Sequence, residues 1–342
     1  MITHLRIKNF KGWSDTGLIN MAPITLFFGA NSSGKSSIGQ LLMMLKQTVE
    51  SPDRKAVFYP GGKNSAVQLG SYQEMVFHRD PANKIGFEYQ WSLSDLLKFR
   101  DPLSGRAFSS DALIFKAEVG LGDKDQHTVA VDHLEYDLLD SGESKLTIGM
   151  DRKSDTRSEY KVEASNYTLK RKQGRVWYPG APVRFYGFPD EVVAYHQNAD
   201  FVQMLNLRHE QLFGSLSYLG PLRTKAERLY SWTGIEPGSV GYAGENTVAA
   251  MLAARKRKIC LGYKRPAKPF EQIIAEKLKE MRLIDEFQVK PISSQRQEYE
   301  VKVRTKGSKD WVDLPDVGFG ISQVLPVLVQ CFYAPRHSII FM

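Results

Sequence analysis

Cysteine is almost missing from these 342 residues: Cys260 and Cys331 are the only two. No disulfide framework is expected on so few thiols, and a reducing compartment, the cytoplasm, fits them. Long apolar runs are missing as well. No stretch approaches the roughly 18 residues that a membrane span needs, and no basic-then-apolar leader opens the chain, so no membrane partner is expected. The seven histidines fall in no H-E-x-x-H or Cys/His spacing, which leaves zinc chemistry without support. Neither sign of charge dominates. Lysine and arginine number 46 against 38 acidic residues, and the net charge of +8 permits a polyanionic partner such as DNA without demanding one. With 42% hydrophobic and 25% charged residues, the composition is that of an ordinary globular protein. The length leaves room for two or three domains, or for one with a large insertion.

What is present, and organises the rest, is Gly29-Ala30-Asn31-Ser32-Ser33-Gly34-Lys35-Ser36-Ser37. This stretch fits G-x-x-x-x-G-K-[ST], the phosphate-binding P-loop. The apolar run Ile24–Phe28 before it reads as a short buried parallel strand. Behind it, Ile38, Leu41, Leu42, Leu45 and Val49 fall at helical spacing, so strand, loop and helix follow in the required order. Gly29 and Gly34 let the backbone turn and approach phosphate, and the loop amides with the helix N-terminus attract negative charge. Lys35 is then expected on the outer phosphates and the Ser36 hydroxyl on Mg²⁺. These residues imply binding of a nucleoside triphosphate.

Ahead of the loop, Thr3, Leu5 and Ile7 alternate with His4, Arg6 and Lys8, the pattern of a half-buried strand. Leu5-Arg6-Ile7-Lys8-Asn9-Phe10-Lys11, followed by Gly-Ala-Asn-x-x-Gly-Lys-Ser, resembles the opening of the ABC-type ATPases of the SMC, RecF and OLD group within the AAA family. A second stretch bears on the same resemblance. Leu314-Pro315-Asp316-Val317-Gly318-Phe319-Gly320-Ile321-Ser322-Gln323, with an apolar helix after it, is similar to the ABC signature motif. In that family the loop gives a serine hydroxyl and backbone amides to the outermost phosphate of ATP held by a partner subunit. The resemblance therefore implies that Gly318, Gly320, Ser322 and Gln323 complete a neighbour's site. It also implies a homodimer or higher homo-oligomer, and an effector protein, for example a nuclease encoded nearby, as a further partner. A glutamine contacting the metal and attacking water would be Gln68 or Gln73, each equally readable as a solvated loop residue. Ser338–Met342 reads as a buried strand, corresponding in the family to the Walker B strand. The acids that follow there to bind Mg²⁺ and polarise water are absent, which implies weak Mg-ATP binding and slow hydrolysis for these 342 residues, with a longer natural product as the active ATPase.

Between the two motifs the pattern changes twice. From 84 to 186, short alternating runs such as Ile85, Phe87, Tyr89 and Trp91 are separated by turns at Gly122–Asp125 and Asp140–Glu143, and predict an antiparallel meander. The basic run Lys170–Arg175 closes it, as a solvated hairpin tip or a phosphate contact. From 187 to 284 helical spacings dominate. Tyr218-Leu219-Gly220-Pro221-Leu222-Arg223 resembles a stretch of OLD-like ATPases, with Arg223 on phosphate or in a structural salt bridge. Phe270, Ile273, Ile274, Leu278 and Met281 form the core face of one helix. Arg255, Lys256, Arg257, Lys258, Lys264, Arg265 and Lys268 put seven cations within fourteen residues; the run Arg255–Lys258 is a candidate DNA contact, and with Tyr263 the only aromatic inside the patch the sequence does not show the stacking platform of a single-strand binder. Residues 287–303 predict a hairpin.

The expected architecture is thus α/β: a P-loop core sheet with an antiparallel β subdomain and a helical lobe. Its segments are 1–83 for the P-loop half, 84–186 for the β insertion, 187–284 for the helical lobe, and 285–342 for hairpin, signature-like loop and final strand. The expected function is an ATPase whose ATP-sandwiched dimer switches a DNA-processing or effector partner, in repair or anti-phage defence. A nucleotide-gated dimerisation module without turnover is the alternative. A P-loop kinase fits poorly, because it leaves the second glycine loop unexplained.

Overall fold

The computed structural model describes residues 1–122, 128–154, 157–174, 178–293 and 296–342. It divides into two compact units, Met1–Leu216 and Ser217–Met342, so the boundary falls inside the 187–284 segment. Of the turns and runs read from sequence, Asp123–Asp125 and Arg175 lie outside the described residues.

In the first unit the alternation at the amino end does form a strand, β1 (Ile2–Phe10), with Leu5, Ile7 and Phe10 fully buried. Its neighbours β2 (Trp13–Asp15) and β3 (Ile19–Asn20) both return antiparallel to it. The meander follows as β4 (Ile85–Arg100), β5 (Ala107–Leu121), β6 (Val129–Asp140), β7 (Glu143–Ser154) and β8 (Arg157–Ser165). All pair antiparallel in the order β2-β1-β4-β5-β6-β7-β8. The expected meander is therefore present, and β1 is a strand of the same sheet rather than of a separate core. Two-residue periodicity explains the packing. Tyr89 on β4, Phe115 on β5 and Tyr136 on β6 lie in register on one face, and all three are fully buried.

That face is covered by α1 (Lys35–Glu50) and α4 (Phe201–Gly214), helices whose apolar residues recur at three- and four-residue spacing; the shorter α2 (Tyr72–Met75) and α3 (Asp190–Tyr195) complete the unit. α1 and α4 pack on each other, and Lys46 Nζ donates to the Phe213 carbonyl at 3.1 Å. At the centre sits His209, fully buried. Tyr136 donates its hydroxyl to the Tyr186 carbonyl at 3.0 Å, so it accepts from His209 Nδ1 at 2.8 Å. Nε2 then accepts from Tyr89 at 2.8 Å. A second proton would find Tyr89 already donating, and burial pushes the His209 pKa well below its ordinary value.

One expectation fails here. Ile24–Phe28 is not a strand, and Ile24, Leu26 and Phe28 are 81%, 69% and 87% exposed. A strand buried on both faces needs hydrogen-bonded neighbours on both edges, and among the described residues no strand pairs with this one.

β9 (Leu216–Tyr218) starts at the last residue of the first unit, and the second unit continues with β10 (Tyr230–Ser231), α5 (Thr247–Ala253), β11 (Lys258–Ile259), β12 (Lys268–Pro269) and α6 (Phe270–Glu280). The expected hairpin is β13 (Glu286–Pro291) with β14 (Glu298–Arg304), in register at Phe287↔Val303 and Val289↔Val301. β15 (Val312–Asp313), α7 (Phe319–Tyr333) and β16 (Ile339–Phe341) close the unit. Its core gathers Met251, Phe270, Ile274, Val301, Val303, Leu325 and Val329. Met281, expected on the core face of α6, lies just past the helix and is 51% exposed. β16 forms where a strand was expected but is only half-buried; among the described residues it pairs with β9 alone, with the Leu219 amide on the Phe341 carbonyl at 2.9 Å.

Candidate nucleotide-binding site

The loop Gly29–Lys35 leads directly into α1, as the motif requires. Gly34 caps the helix in the left-handed region, φ 88°, and Ser32 is also left-handed at φ 62°. Successive turns of this kind aim backbone amides into one concavity, which suits a phosphate. The Lys35 side chain arches back over the loop, and its ammonium donates to the carbonyls of Gly29 at 2.9 Å and Ala30 at 2.6 Å. It is thereby held above the anion cradle on contacts that incoming phosphate oxygens would replace. Ala30, Asn31, Ser32 and Ser33 are exposed along the loop. Ser36, in the first turn, is exposed too, while Ser37 turns inward and is buried. The first turn of α1 carries no acidic residue, so nothing there repels an anion.

Sequence reasoning missed the residue that shapes this loop. Trp13, on β2, donates its indole N–H to the Gly34 carbonyl at 3.0 Å. A β-carbon on Gly34 would sit 2.7 Å from that same Nε1, so the close approach requires glycine as much as the positive φ does. β2 is fixed in turn by Arg6, which grips both carboxylate oxygens of Asp15 at 3.0 and 2.6 Å. That hydrogen bond holds the Asp15 carboxyl down at about 2. No spacing rule links position 13 to position 34; the link exists only through the pairing of β1 with β2.

The loop has the geometry of an anion cradle, and what it offers a metal is narrower. Among the described residues no three His, Cys, Asp or Glu gather to hold an ion. Ser36 is the one protein ligand the loop presents, and magnesium characteristically accepts such a site when phosphate oxygens and water fill the other positions. Of the two candidate glutamines, Gln68 is exposed and donates to the Gly62 carbonyl at 2.8 Å, and Gln73 lies exposed on α2.

In the second unit the signature-like stretch is a short 3-10 turn, Leu314–Asp316, running into α7. Gly318 caps α7 with φ −47° and ψ 149°, so Gly320, Ser322 and Gln323 fall within its first turn and a half. Two arginines hold this stretch. Arg223 donates to the Gln323 carbonyl at 2.5 Å and enters no salt bridge among the described residues. Arg228 reaches Asp316 at 3.0 and 2.7 Å and Asp313 at 3.0 Å. Lys302, and then Arg228, lower the Asp313 carboxyl below its ordinary value. A small open pocket beside this turn is lined by Ser322 with Lys225, Glu227, Glu245 and Thr247. Two carboxylates beside one ammonium make it a poor cradle for an anion.

The candidate DNA run is partly occupied by the fold itself. Arg255 pairs with Glu271 at 3.5 Å. Arg257 pairs with Glu236 and stacks on Tyr333, 4.8 Å from its ring centre. Lys256 and Lys258 are exposed and enter no ion pair among the described residues.

Comparison with known families agrees with the loop. Residues 1–170 match the family model described as an AAA ATPase domain. Residues 1–170 are therefore similar to an AAA ATPase domain, and the protein is mixed α/β with a large antiparallel sheet. None of the curated proteins compared with the chain matches it. Among the described residues, no helix is long and apolar enough to cross a membrane.

Proposed function

We propose that the chain binds Mg-ATP on Gly29–Ser37 and works as an ABC-type, ATP-sandwiched dimer of the SMC, RecF and OLD kind, switching a DNA-processing or effector partner in repair or defence. The observation that carries the reading is the Lys35 ammonium folded over a left-handed, glycine-hinged loop at the head of a 16-residue helix, within the part of the chain that matches an AAA ATPase domain. Bound ATP would supply the charge that joins two copies. Gly29–Ser37 of one would hold the phosphates, and Gly318, Gly320, Ser322 and Gln323 of the other would reach the outermost one. The glycines of the second loop support this arrangement, because nothing in their own unit crowds them.

Replacing Lys35 with alanine tests the reading. The ammonium makes charge-assisted contacts worth roughly 1.5–3 kcal/mol each, so ATP affinity should fall about a hundredfold with the fold intact. Equal affinity of Lys35→Ala and wild type for a fluorescent ATP analogue would end the proposal. ATP-dependent self-association with measurable steady-state turnover supports the ATPase; self-association without turnover supports a nucleotide-gated module.

A further inference from the structure

β11 and β12 form a small hairpin, paired at Lys258↔Pro269 and Ile259↔Lys268, whose tip is Cys260–Ala267. The base of the hairpin is fastened: the Phe270 amide bonds the Arg257 carbonyl at 3.1 Å. Ile259 packs against the core of the second unit, and Lys268 pairs with Glu276 at 2.7 Å. The tip is closed on itself, with the Cys260 thiol on the carbonyls of Gly262 at 3.0 Å and Arg265 at 3.1 Å. At its end stands Tyr263, 91% exposed, with the Lys264 ammonium 5.3 Å from its ring centre. Lys264 and Arg265 are exposed and, like Lys256 and Lys258 at the base, enter no ion pair among the described residues.

We infer that this hairpin tip is a single-stranded nucleic-acid contact, in which Tyr263 stacks on a base while Lys264, Arg265, Lys256 and Lys258 follow the phosphates. At 91% exposure the Tyr263 ring is open to a stacking partner. A ring flanked by cations without counter-ions matches the stacking platform and charged track that single strands use. An acidic protein is the competing partner for the cations, and a polyglutamate competitor separates it from a single strand. The inference shifts the contact from the Arg255–Lys258 run toward the tip, because Arg255 and Arg257 are already committed to Glu271 and Glu236. It deepens the partner half of the proposed function and uses no residue of either glycine loop.

Fluorescence anisotropy with a labelled single strand of about 20 nucleotides, spanning one or two typical site sizes, tests it, alongside the duplex of the same sequence and a polyglutamate competitor. Wild type should prefer the single strand. Tyr263→Ala should weaken that binding roughly tenfold and leave the salt slope unchanged. Lys264→Gln with Arg265→Gln should lower the slope by about 1.4, or ~0.7 for each lost phosphate contact, whereas Arg255→Gln should leave it unaltered. All these side chains are exposed, so folding is not at stake, and ATP-analogue affinity measured on the same samples reports the nucleotide site separately. Single-strand binding by Tyr263→Ala equal to wild type would overturn the inference. So would displacement by polyglutamate at equal charge, which would assign the tip to an acidic protein, or no binding at low salt.

Discussion

At Gly34 a β-carbon would lie 2.7 Å from Trp13 Nε1, whereas at Gly318 and Gly320 it would meet nothing within 4 Å. The first glycine is also left-handed, and the two in the second loop are not. Both stretches are glycine loops opening a helix, yet they are held in opposite ways. The loop before α1 is held within its own unit, with Lys35 on its own carbonyls and Trp13 on its cap. The signature-like loop is braced from outside by Arg223 and Arg228. The first loop's glycines follow from the fold of its unit. Glycine costs backbone entropy wherever alanine would fit, about 0.5–1 kcal/mol within a helix, so those of the second loop oppose the stability of theirs.

The largest expected difference is at the first loop. Gly34→Ala should force the chain from φ 88° and drive Trp13 off the Gly34 carbonyl. A strained left-handed residue and a lost hydrogen bond together cost about 2–4 kcal/mol. The variant should melt earlier by calorimetry and bind ATP analogue at least tenfold more weakly. Wild-type affinity together with wild-type stability would mean that Trp13 does not shape the loop, and the contrast between the two loops would collapse.

The supports of the two loops should also separate on acidification. α1 rests on α4, and α4 carries His209 into the buried tyrosine cage. Because the folded pKa of His209 is depressed, the unfolded chain binds the extra proton first. Stability is complete above about pH 6.5 and falls as pH drops below it, by about 1.4 kcal/mol per pH unit. Urea unfolding followed from pH 8 to pH 5 should show this slope, and His209→Gln should flatten it even if it lowers stability throughout. Arg228, which braces the second loop and whose pKa is raised by its hydrogen bond to Asp316, keeps its charge over the same range. A slope unchanged in His209→Gln would place the acid sensitivity elsewhere.

How much of this was legible depended on the range of each interaction. The helix after Gly34, the β1 alternation, the meander and the 287–303 hairpin are local patterns, and a spacing rule reaches them. Trp13 on Gly34 and Arg223 on the Gln323 carbonyl join residues 21 and 100 apart, and only strand pairing or core packing brings them together. Ile24–Phe28 misled for a related reason: an apolar run reports what could be buried, not whether a neighbouring strand arrives to bury it. The seven-cation stretch shows a further limit. Sequence counted its charges, but only the structure shows that Arg255, Arg257 and Lys268 already have acidic partners, while Tyr263 does not bury its ring.

The smallest expected effect on the isolated chain sharpens the comparison most. Gly318→Ala meets no atom and no forbidden dihedral, and Gly320→Ala lies within a helix, where alanine is favoured. Each should leave the melting temperature unchanged or slightly raised, within about 0.5 kcal/mol for the first and up to ~1 kcal/mol of gain for the second. ATP-analogue binding to the isolated chain should not change either, because the P-loop is untouched. If the open space over these glycines is there for the phosphate held by a second copy, a methyl group in it should weaken ATP-dependent self-association in sedimentation experiments. Mixing such a variant with Lys35→Ala should then restore one intact composite site, formed by the variant's P-loop and the other copy's glycines. Unimpaired self-association of both glycine variants would leave their glycines without a function in trans, and the P-loop alone would carry the nucleotide chemistry of this chain.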